Sequence, residues 1–489
     1  MYAKSLHIYD FRCFGKAVLN LQYPDRVEEP LARLDNVNLI LGDNGGGKSS
    51  ALRAVAISIL APALLESGFV SYHLVRRPGS TKTESFLKVV GVLSERDPLP
   101  SRVKVRNNDE IELIARIGRR GAGSLDRLHL EHAPDSPLEQ LIYDDDSPAF
   151  FVVGYGATRR VETGDFSPSS ARKSRGLRYQ RVASLFEDHV ALQPLSAWLR
   201  RLKGSRREEA IRLLQSVLPE QITFKGNWDR REEQFLFEFE GREIPFGALS
   251  DGFKAFIGWV GDLIANLCDV CPPKYKLTDI PGVVLVDEVD LHLHPSWQRS
   301  VVTDVADAFP NLQFIFTSHS ALIVNSVTPE NLFLTDEDDE GRMTISQIDE
   351  SSYGQGVDQL LTSSYFGLET IRPEDAVDRG REIVEQAMAG DSTAALRFLR
   401  EMTRPALEVV EEPSTRKSVA KAPATRKAAK KKPAVKKKPV AKKKAAAKKP
   451  ASKKRPVKKK VAAKKKPAAK KKPAARKKTA VKKKAAKRK

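Results

Sequence analysis

The chain has 489 residues, 41% of them hydrophobic, and a formal net charge of +22. Of its 84 basic residues, 37 lie in 413–489, which has no acidic residue, so residues 1–412 carry a net charge of −15. The longest apolar run, Ala54–Leu65, is interrupted by Ser58 and Pro62 and is shorter than the ~20 residues of a membrane-spanning helix, which excludes a membrane protein. Three cysteines and no apolar leader exclude a disulfide-rich secreted protein and predict a cytoplasmic one.

The first half of the chain begins with strands and continues with mixed strand and helix patterns. Strands are predicted at Ser5–Tyr9, Ala17–Tyr23, Val37–Leu41, Ser85–Val92, Glu110–Ile117 and Ala149–Tyr155. Helices are predicted at Lys48–Leu60, Arg181–Val190, Leu192–Leu202 and Arg206–Leu218. The last two helices are expected to form a short hairpin that turns at Lys203–Ser205.

The second half has a clear alternation of helix and strand. Asp251–Cys268 places apolar residues at helical spacing directly after Ser250, a residue type favoured at a helix N-cap. Gly282–Val286 and Leu312–Phe316 are short apolar runs bounded by turns, as expected for parallel strands buried on both faces. The pattern predicts the α/β fold class with a parallel sheet.

Residues 413–489 repeat lysine triplets with Pro, Ala and Val spacers, and they contain no aromatic residue. Proline recurs too often for a long helix, and the composition predicts a tail that is disordered when free. Closely spaced lysines neutralise phosphates without reading bases, so we expect the tail to bind duplex DNA without sequence specificity.

A glycine-rich turn between the strand Val37–Leu41 and the following helix fits Gly-x-x-x-x-Gly-Lys-Ser, the P-loop pattern. Its glycines let backbone N–H groups and the helix N-terminus face the phosphates of ATP. Lys48 is expected to reach the β- and γ-phosphates, and the hydroxyl of Ser49 to bind Mg²⁺. The predicted nucleotide-binding residues are Gly42, Asp43, Asn44, Gly45, Gly46, Gly47, Lys48, Ser49 and Ser50.

The apolar strand Gly282–Val286 ends in two carboxylates, Asp287 and Glu288. With a P-loop upstream, Asp287 is expected to support the Mg²⁺ ion. Glu288 points differently and is expected to act as the general base that polarises the attacking water.

The pentamer from Leu249 to Phe253 resembles the signature motif of ABC-class ATPases, and it lies between the two preceding motifs. A serine hydroxyl, a glycine N–H and a helix N-terminus together suit a γ-phosphate. The resemblance implies that Ser250 and Gly252 contact nucleotide bound to the other subunit of a homodimer that forms with Mg·ATP. Asp251 and Phe253 depart from the transporter form of the motif.

Three further segments resemble the RecF/SMC/OLD-like group of ABC ATPases: Ile8–Phe14, Asp287–Pro295 and Thr317–Ser320. The resemblance implies that His319 senses the γ-phosphate and that the loop at His294 meets the other subunit. The catalytic residues it implies are therefore Lys48, Glu288 and His319.

Other patterns leave two interpretations open. Arg159 or Arg160 is expected either to contact phosphate, as in a similar loop of this family, or to lie on the surface. The pairs Cys268/Cys271 and His292/His294 lack further ligands at useful spacing, so no metal site is predicted there. The acidic run 336–340 is expected to be a solvated hairpin loop rather than a nuclease site.

Residues Ser352–Leu361 and Tyr365–Thr370 resemble the C-terminal region of compact ABC ATPases from anti-phage systems, such as Septu and some retrons. The family resemblance covers about residues 1–375, and too few residues follow before the tail for a nuclease domain like that of OLD proteins. The tail itself is similar in composition to the arms of linker histones.

The predicted architecture is an ABC-type P-loop ATPase head with an inserted α+β and helical subdomain and a disordered basic tail. Its expected parts are the first portion of the head at 1–65, the insertion at 66–244, the second portion of the head at 245–350, a helical segment at 351–412 and the tail at 413–489.

The predicted function is an ATP-driven switch on DNA, in the cytoplasm and associated with the nucleoid, most plausibly in phage defence with a separate nuclease or reverse-transcriptase effector. Two alternatives stay open: a RecF-like ATPase of recombination or repair, and a histone-like DNA organiser with slow ATPase activity.

Overall fold

The computed structural model describes most of the residues that precede the basic tail. It divides the chain into two compact units, Met1–Pro405 and Ala406–Lys489. The predicted tail at 413–489 lies outside the described residues. The described residues are 1–76, 82–99, 109–119, 125–130, 141–144, 147–161, 175–390, 393, 394 and 396.

Within these residues, strands and helices alternate along most of the chain. The strands are β1 (Tyr2–Tyr9), β2 (Lys16–Asn20), β3 (Val37–Leu41), β4 (Glu84–Val92), β5 (Glu110–Arg119), β6 (Asp126–Leu130), β7 (Phe151–Tyr155), β8 (Ile222–Thr223), β9 (Trp228–Asp229), β10 (Gln234–Phe239), β11 (Arg242–Pro245), β12 (Gly282–Val286), β13 (Leu312–Thr317), β14 (Leu332–Glu337) and β15 (Met343–Ser346). The helices are α1 (Lys48–Glu66), α2 (Leu177–Val182), α3 (Leu195–Trp198), α4 (Gly204–Ser216), α5 (Asp251–Val270), α6 (Pro295–Gln298), α7 (Val301–Ala308), α8 (Ala321–Val324), α9 (Val357–Leu361) and α10 (Glu374–Met388).

The central sheet has six strands in the order β15-β14-β3-β13-β12-β7, and all but the edge strand β15 are parallel. Every residue of β3, β7, β12 and β13 is buried, because helices and a second sheet cover both faces of a parallel sheet. The predicted α/β class and its two central parallel strands are confirmed. The carboxyl ends of β3, β12 and β13 meet at one edge, where the predicted motifs lie.

A second, antiparallel sheet has the order β2-β1-β4-β5-β6. Helix α1 packs against β1, β4, β5 and β6 of this sheet and against β13 of the central one. It runs past Pro62 to Glu66, six residues beyond the predicted end at Leu60. Its mean hydropathy of 1.4 would suit a membrane span, but 72% of that stretch is buried inside the protein. Its apolar residues serve the packing between the two sheets.

The strand pairing does not follow the predicted boundary at residue 65. Strand β4 pairs with β1, and β7 pairs in parallel with β12. Both strands lie in the predicted insertion, yet both complete sheets begun by other parts of the chain. The unit Met1–Pro405 thus contains both the predicted head and the predicted insertion, and the bounds of the insertion stay a prediction.

A small third sheet, β11-β10-β8 with β9 paired to β10, follows the segment Leu192–Leu218 in which a helical hairpin was predicted. Helix α3 is one turn long. It begins only at Leu195, because Leu192 forms a β-bridge with Val161 and Pro194 has no N–H group. Helix α4 matches the second half of the predicted hairpin, and both helices pack on α5. The predicted helix at Arg181–Val190 is replaced by α2 and a single 3₁₀ turn.

Candidate functional site

The glycine-rich loop connects β3 to α1 in the predicted way. Gly42 and Gly47 have φ of 138° and 93°, a conformation that L-residues with side chains rarely adopt. A Cβ on Gly42 would also lie 1.9 Å from the hydroxyl oxygen of Thr335 on β14. Glycine at position 42 is therefore required by both backbone conformation and space.

Lys48, the first residue of α1, turns its side chain back over the loop. Its Nζ donates to the carbonyl oxygens of Gly42 and Asp43, each at 2.8 Å, and the residue is only 6% exposed. Burial lowers the pKa of Lys48, while Asp287 and Glu288 oppose that shift. The ammonium thus lies between the loop and the carboxylates at the end of β12.

Thr317, at the end of β13, connects both carboxylate residues. Its Oγ1 donates to Oδ1 of Asp287 at 2.6 Å and accepts from the backbone N–H of Glu288 at 2.7 Å. Glu288 has a φ of 49°, so its backbone needs such support to stay in the left-handed region. The sequence showed Thr317 only as the first residue of the loop containing His319, and its role depends on the neighbouring strand.

Changing Thr317 to Val is expected to cost about 2–4 kcal/mol in the free energy of unfolding, because the buried Asp287 oxygen and the Glu288 N–H both lose their partner. Thr317→Ser keeps the hydroxyl and should cost less than about 1 kcal/mol. Urea denaturation of the two variants gives the comparison. Equal free energies of unfolding for Thr317→Val and Thr317→Ser would contradict the bridging role of the hydroxyl.

Arg159 is buried against the backbone of Glu288 rather than on the surface, and its contact with phosphate stays a prediction. It is 8% exposed, and its Nη2 donates to the carbonyl oxygen of Glu288. Burial lowers the pKa of Arg159 to about 10, against the opposing effect of Asp287, Asp290 and Glu288. Arg159 therefore holds the backbone of Glu288 from the β7 side, whereas Arg160 is exposed.

A cleft of about 490 Å³ opens beside the loop. Of the predicted residues it brings together Asn44, Gly45, Gly47, Lys48, Ser49, Ser50, Glu288 and His319. Asp287 is buried and not among the described lining residues, and neither are Ser250 and Gly252. The other described lining residues, none of them predicted, are Arg12, Cys13, Arg53, His73 and Val75.

Arg12 and Arg53 add two further cations to this cleft. Arg53 donates from Nε to the carbonyl oxygen of Leu185 at 2.6 Å, and the described part of the chain supplies no ion pair to either arginine. Burial is the main cause of a lowered pKa in both, and Arg53 lowers the pKa of Arg12 further. With Lys48, three crowded cations suit a ligand that carries several negative charges. Arg12 lies inside the predicted Ile8–Phe14 segment, and Arg53 lies four residues after Ser49, one turn further along the predicted helix.

The signature segment lies at the N-terminus of α5. Ser250 is the N-cap residue as predicted, but its side chain makes no capping hydrogen bond to the described residues and is exposed. Gly252 packs against backbone, since a Cβ there would lie 2.2 Å from the carbonyl oxygen of His292. The exposed end of this 20-residue helix favours an anion through its dipole and free N–H groups.

No cluster of three or more His, Cys, Asp or Glu side chains that could hold a metal ion occurs among the described residues. The ring Nδ1 of His294 accepts from the backbone N–H of Ser296 at the start of α6, a structural role. Burial raises the pKa of Cys268 to about 12, so this thiol stays protonated. The acidic run at 336–340 lies at the turn between β14 and β15, as expected for a hairpin loop.

Comparison with known proteins gives matches to ATPases. Residues 37–325 match the family described as "AAA domain, putative AbiEii toxin, Type IV TA system". The chain is 23% identical over 375 residues to the Septu protein PtuA of Bacillus mycoides (strain KBAB4), covering 76% of this chain and 46% of that protein. It is 40% identical over 97 residues to the "Retron Vc95 probable ATPase" of Vibrio cholerae serotype O1 biovar El Tor, covering 20% of this chain and 19% of that protein.

The chain thus spans at most about half the length of these two relatives. Among solved structures, the SMC head domain from Thermotoga maritima is 16% identical, with 72% of this chain and 100% of that chain covered and a TM-score of 0.40.

The family match extends from β3 across the P-loop, the signature segment and both carboxylates to residue 325 beyond His319, more than half of the chain. The predicted resemblance to RecF/SMC-like ATPases of the anti-phage type is confirmed, apart from the tail, which lies outside the described residues. The chain belongs to this AAA-domain family, as an α/β P-loop ATPase of the ABC type.

Proposed function

We propose that the chain binds and hydrolyses Mg·ATP, and that it is the ATPase component of an anti-phage defence system that acts with a separate effector. The observation that carries the proposal is the cleft in which the P-loop, Glu288 and His319 meet three cations. Similarity to a Septu protein and a retron ATPase supports the biological setting.

In this proposal the triphosphate lies against the loop and the N-terminus of α1, where backbone N–H groups and the helix dipole favour negative charge. Lys48 leaves the carbonyl oxygens of Gly42 and Asp43 to bind the β- and γ-phosphates. Arg12 and Arg53 lie along the same cleft and neutralise further phosphate charge.

The oxygen donors suit Mg²⁺. An ion that arrives with a nucleotide needs only one or two protein ligands, because phosphate and water oxygens complete its shell. The hydroxyl of Ser49 in the cleft and the carboxylate of Asp287, oriented by Thr317, would hold it. The ion supplies charge neutralisation at the transferred phosphate.

Glu288 is the proposed general base. Thr317 and Arg159 hold its backbone N–H and carbonyl groups, so its carboxylate faces the cleft from a fixed position. There it takes a proton from the water that attacks the γ-phosphate, and the exposed His319 at the same cleft contacts that phosphate.

A homodimer completes the site in this proposal. Ser250 and Gly252 do not line the cleft of their own chain, and the N-terminus of α5 is exposed. Two chains facing each other would bring each α5 N-terminus to the partner's γ-phosphate, so ATP favours the dimer and hydrolysis opens it.

Defence activity is tested by expressing the gene with its neighbouring genes in a phage-sensitive bacterial host. We expect the wild-type system to reduce plaque numbers and Lys48→Ala to abolish that protection. Lys16→Ala, at an exposed lysine on β2, is the matched control and should protect like wild type. Full protection by Lys48→Ala would contradict an ATP-dependent defence role.

Binding of duplex DNA is assigned to residues 413–489. Deleting this tail should weaken non-specific duplex affinity sharply and flatten its salt dependence, because each lost phosphate contact removes roughly 0.9 from the slope of log K against log salt. Fluorescence anisotropy at several salt concentrations measures both quantities. A tail of shuffled order is the control and should bind normally. Unchanged affinity after deletion would place the DNA surface on the acidic head.

A further inference from the structure

A second charged cavity lies away from the ATPase cleft and shares no residue with it. It has a volume of about 470 Å³, within the range of small-molecule sites. We call it the arginine pocket, and its described lining residues are Arg200, Arg207, Trp228, Arg230, Glu233 and Phe235.

The pocket lies in a basic part of an acidic head. Residues 200–231 contain nine Lys and Arg against four Asp and Glu, whereas residues 1–412 as a whole carry a net charge of −15. Three of the neighbouring cations are paired: Arg206 with Glu209 at 2.8 Å, Arg212 with Glu208 at 3.9 Å, and Lys225 with Glu238 at 2.6 Å.

The pocket arginines differ from these neighbours. In the described part of the chain Arg200, Arg207 and Arg230 form no ion pair, although Arg207 and the paired Arg206 and Arg212 lie on the same helix α4. Nη2 of Arg207 donates to the carbonyl oxygen of Gly226 at 2.8 Å, which fixes the guanidinium at the wall. The unused donors of Arg207 and Arg230 suit a phosphate, because a guanidinium can donate two parallel hydrogen bonds to phosphate oxygens.

Trp228 adds a flat surface. The guanidinium carbon of Arg200 lies 4.2 Å from the centre of the Trp228 ring. The ring of Phe235 contacts Trp228 edge-on, with 5.0 Å between the ring centres and an interplanar angle of 77°. Such a stack of arginine and tryptophan binds a nucleobase by its face. The carboxylate of Glu233 can accept a hydrogen bond from an exocyclic amino group of a base.

We infer that the arginine pocket binds one nucleotide unit, with its base on the Arg200–Trp228 stack and its phosphate on Arg207 and Arg230. The unit comes either from a free nucleotide or from single-stranded nucleic acid. The inference does not depend on ATP hydrolysis at the P-loop, because the two sites share no residue.

The test uses the full-length chain with Lys48→Ala, so that the ATP site is weakened in every sample. Two probes separate the sources: fluorescent ethenoadenosine monophosphate, and a tetranucleotide that contains 2-aminopurine. Each probe is titrated with the parent chain and with three chains that carry Arg230→Ala, Trp228→Leu or Arg212→Ala in addition to Lys48→Ala. The last variant is the matched control, because it removes one arginine of helix α4 that does not line the pocket. The basic tail is present in every variant, so its contribution to probe binding is the same in all titrations.

We expect Arg230→Ala and Trp228→Leu to weaken binding about tenfold or more, and Arg212→Ala less than twofold. If the pocket variants bind the mononucleotide more weakly, the ligand is a free nucleotide. If they lose affinity for the tetranucleotide alone, the ligand is single-stranded nucleic acid. The inference is overturned if Arg230→Ala behaves like Arg212→Ala with both probes. Arg230 is exposed, so Arg230→Ala should melt with the parent, which keeps the result interpretable if Trp228→Leu proves unstable.

Discussion

Glu288→Gln should bind ATP like the wild-type chain and hydrolyse it about 10²- to 10⁴-fold more slowly. Glutamine has the shape of glutamate but accepts no proton from the attacking water. The backbone of residue 288 is held by Thr317 and Arg159 through its N–H and carbonyl groups, and neither contact depends on the carboxylate. The loss should therefore be chemical rather than structural.

Single-turnover hydrolysis and a sizing column with Mg·ATP measure the two expected consequences: slow cleavage and an accumulated ATP-bound dimer. Lys48→Ala is the contrasting variant and should fail to bind ATP, because it removes the cation between the loop and the carboxylates. Wild-type turnover in Glu288→Gln would remove Glu288 from the role of general base.

Ser250→Arg should abolish turnover while leaving the ATP affinity of the single chain nearly intact. The reason is that Ser250 is exposed at the end of α5 and does not line its own chain's cleft, so a large side chain there blocks only the partner's phosphate. Ser250→Ala is the size control and should retain much of the activity. ATP binding by calorimetry and steady-state hydrolysis give the comparison.

Mixing Ser250→Arg with Lys48→Ala tests the shared site directly. A mixed dimer has one site with both residues intact and one with neither. At equal amounts, half of the dimers are mixed, so activity should recover to about a quarter of the wild-type value if the two sites work independently. A mixture that stays inactive at every ratio contradicts independent sites shared between chains.

Local sequence patterns were enough to predict the parts of the site that depend on neighbouring residues. The glycine spacing of residues 42–47, the apolar runs of β12 and β13, and the carboxylates after β12 were predictable because each depends on a few consecutive residues. A parallel sheet then brings the carboxyl ends of these strands to one edge whatever lies between them. The α/β class and the family followed from those patterns.

Tertiary structure alone decided what surrounds these motifs. Thr317, Arg159 and Arg12 come from three separate parts of the chain, and no spacing along the chain relates them to Glu288 or Lys48, whereas Arg53 follows Ser49 by one turn of α1. The strands β4 and β7 were predicted, but their partners were not, because these are β1 and β12, far away in sequence. Hydrogen bonds and burial between distant strands are set by the packing of the whole sheet, and local sequence patterns do not contain that information.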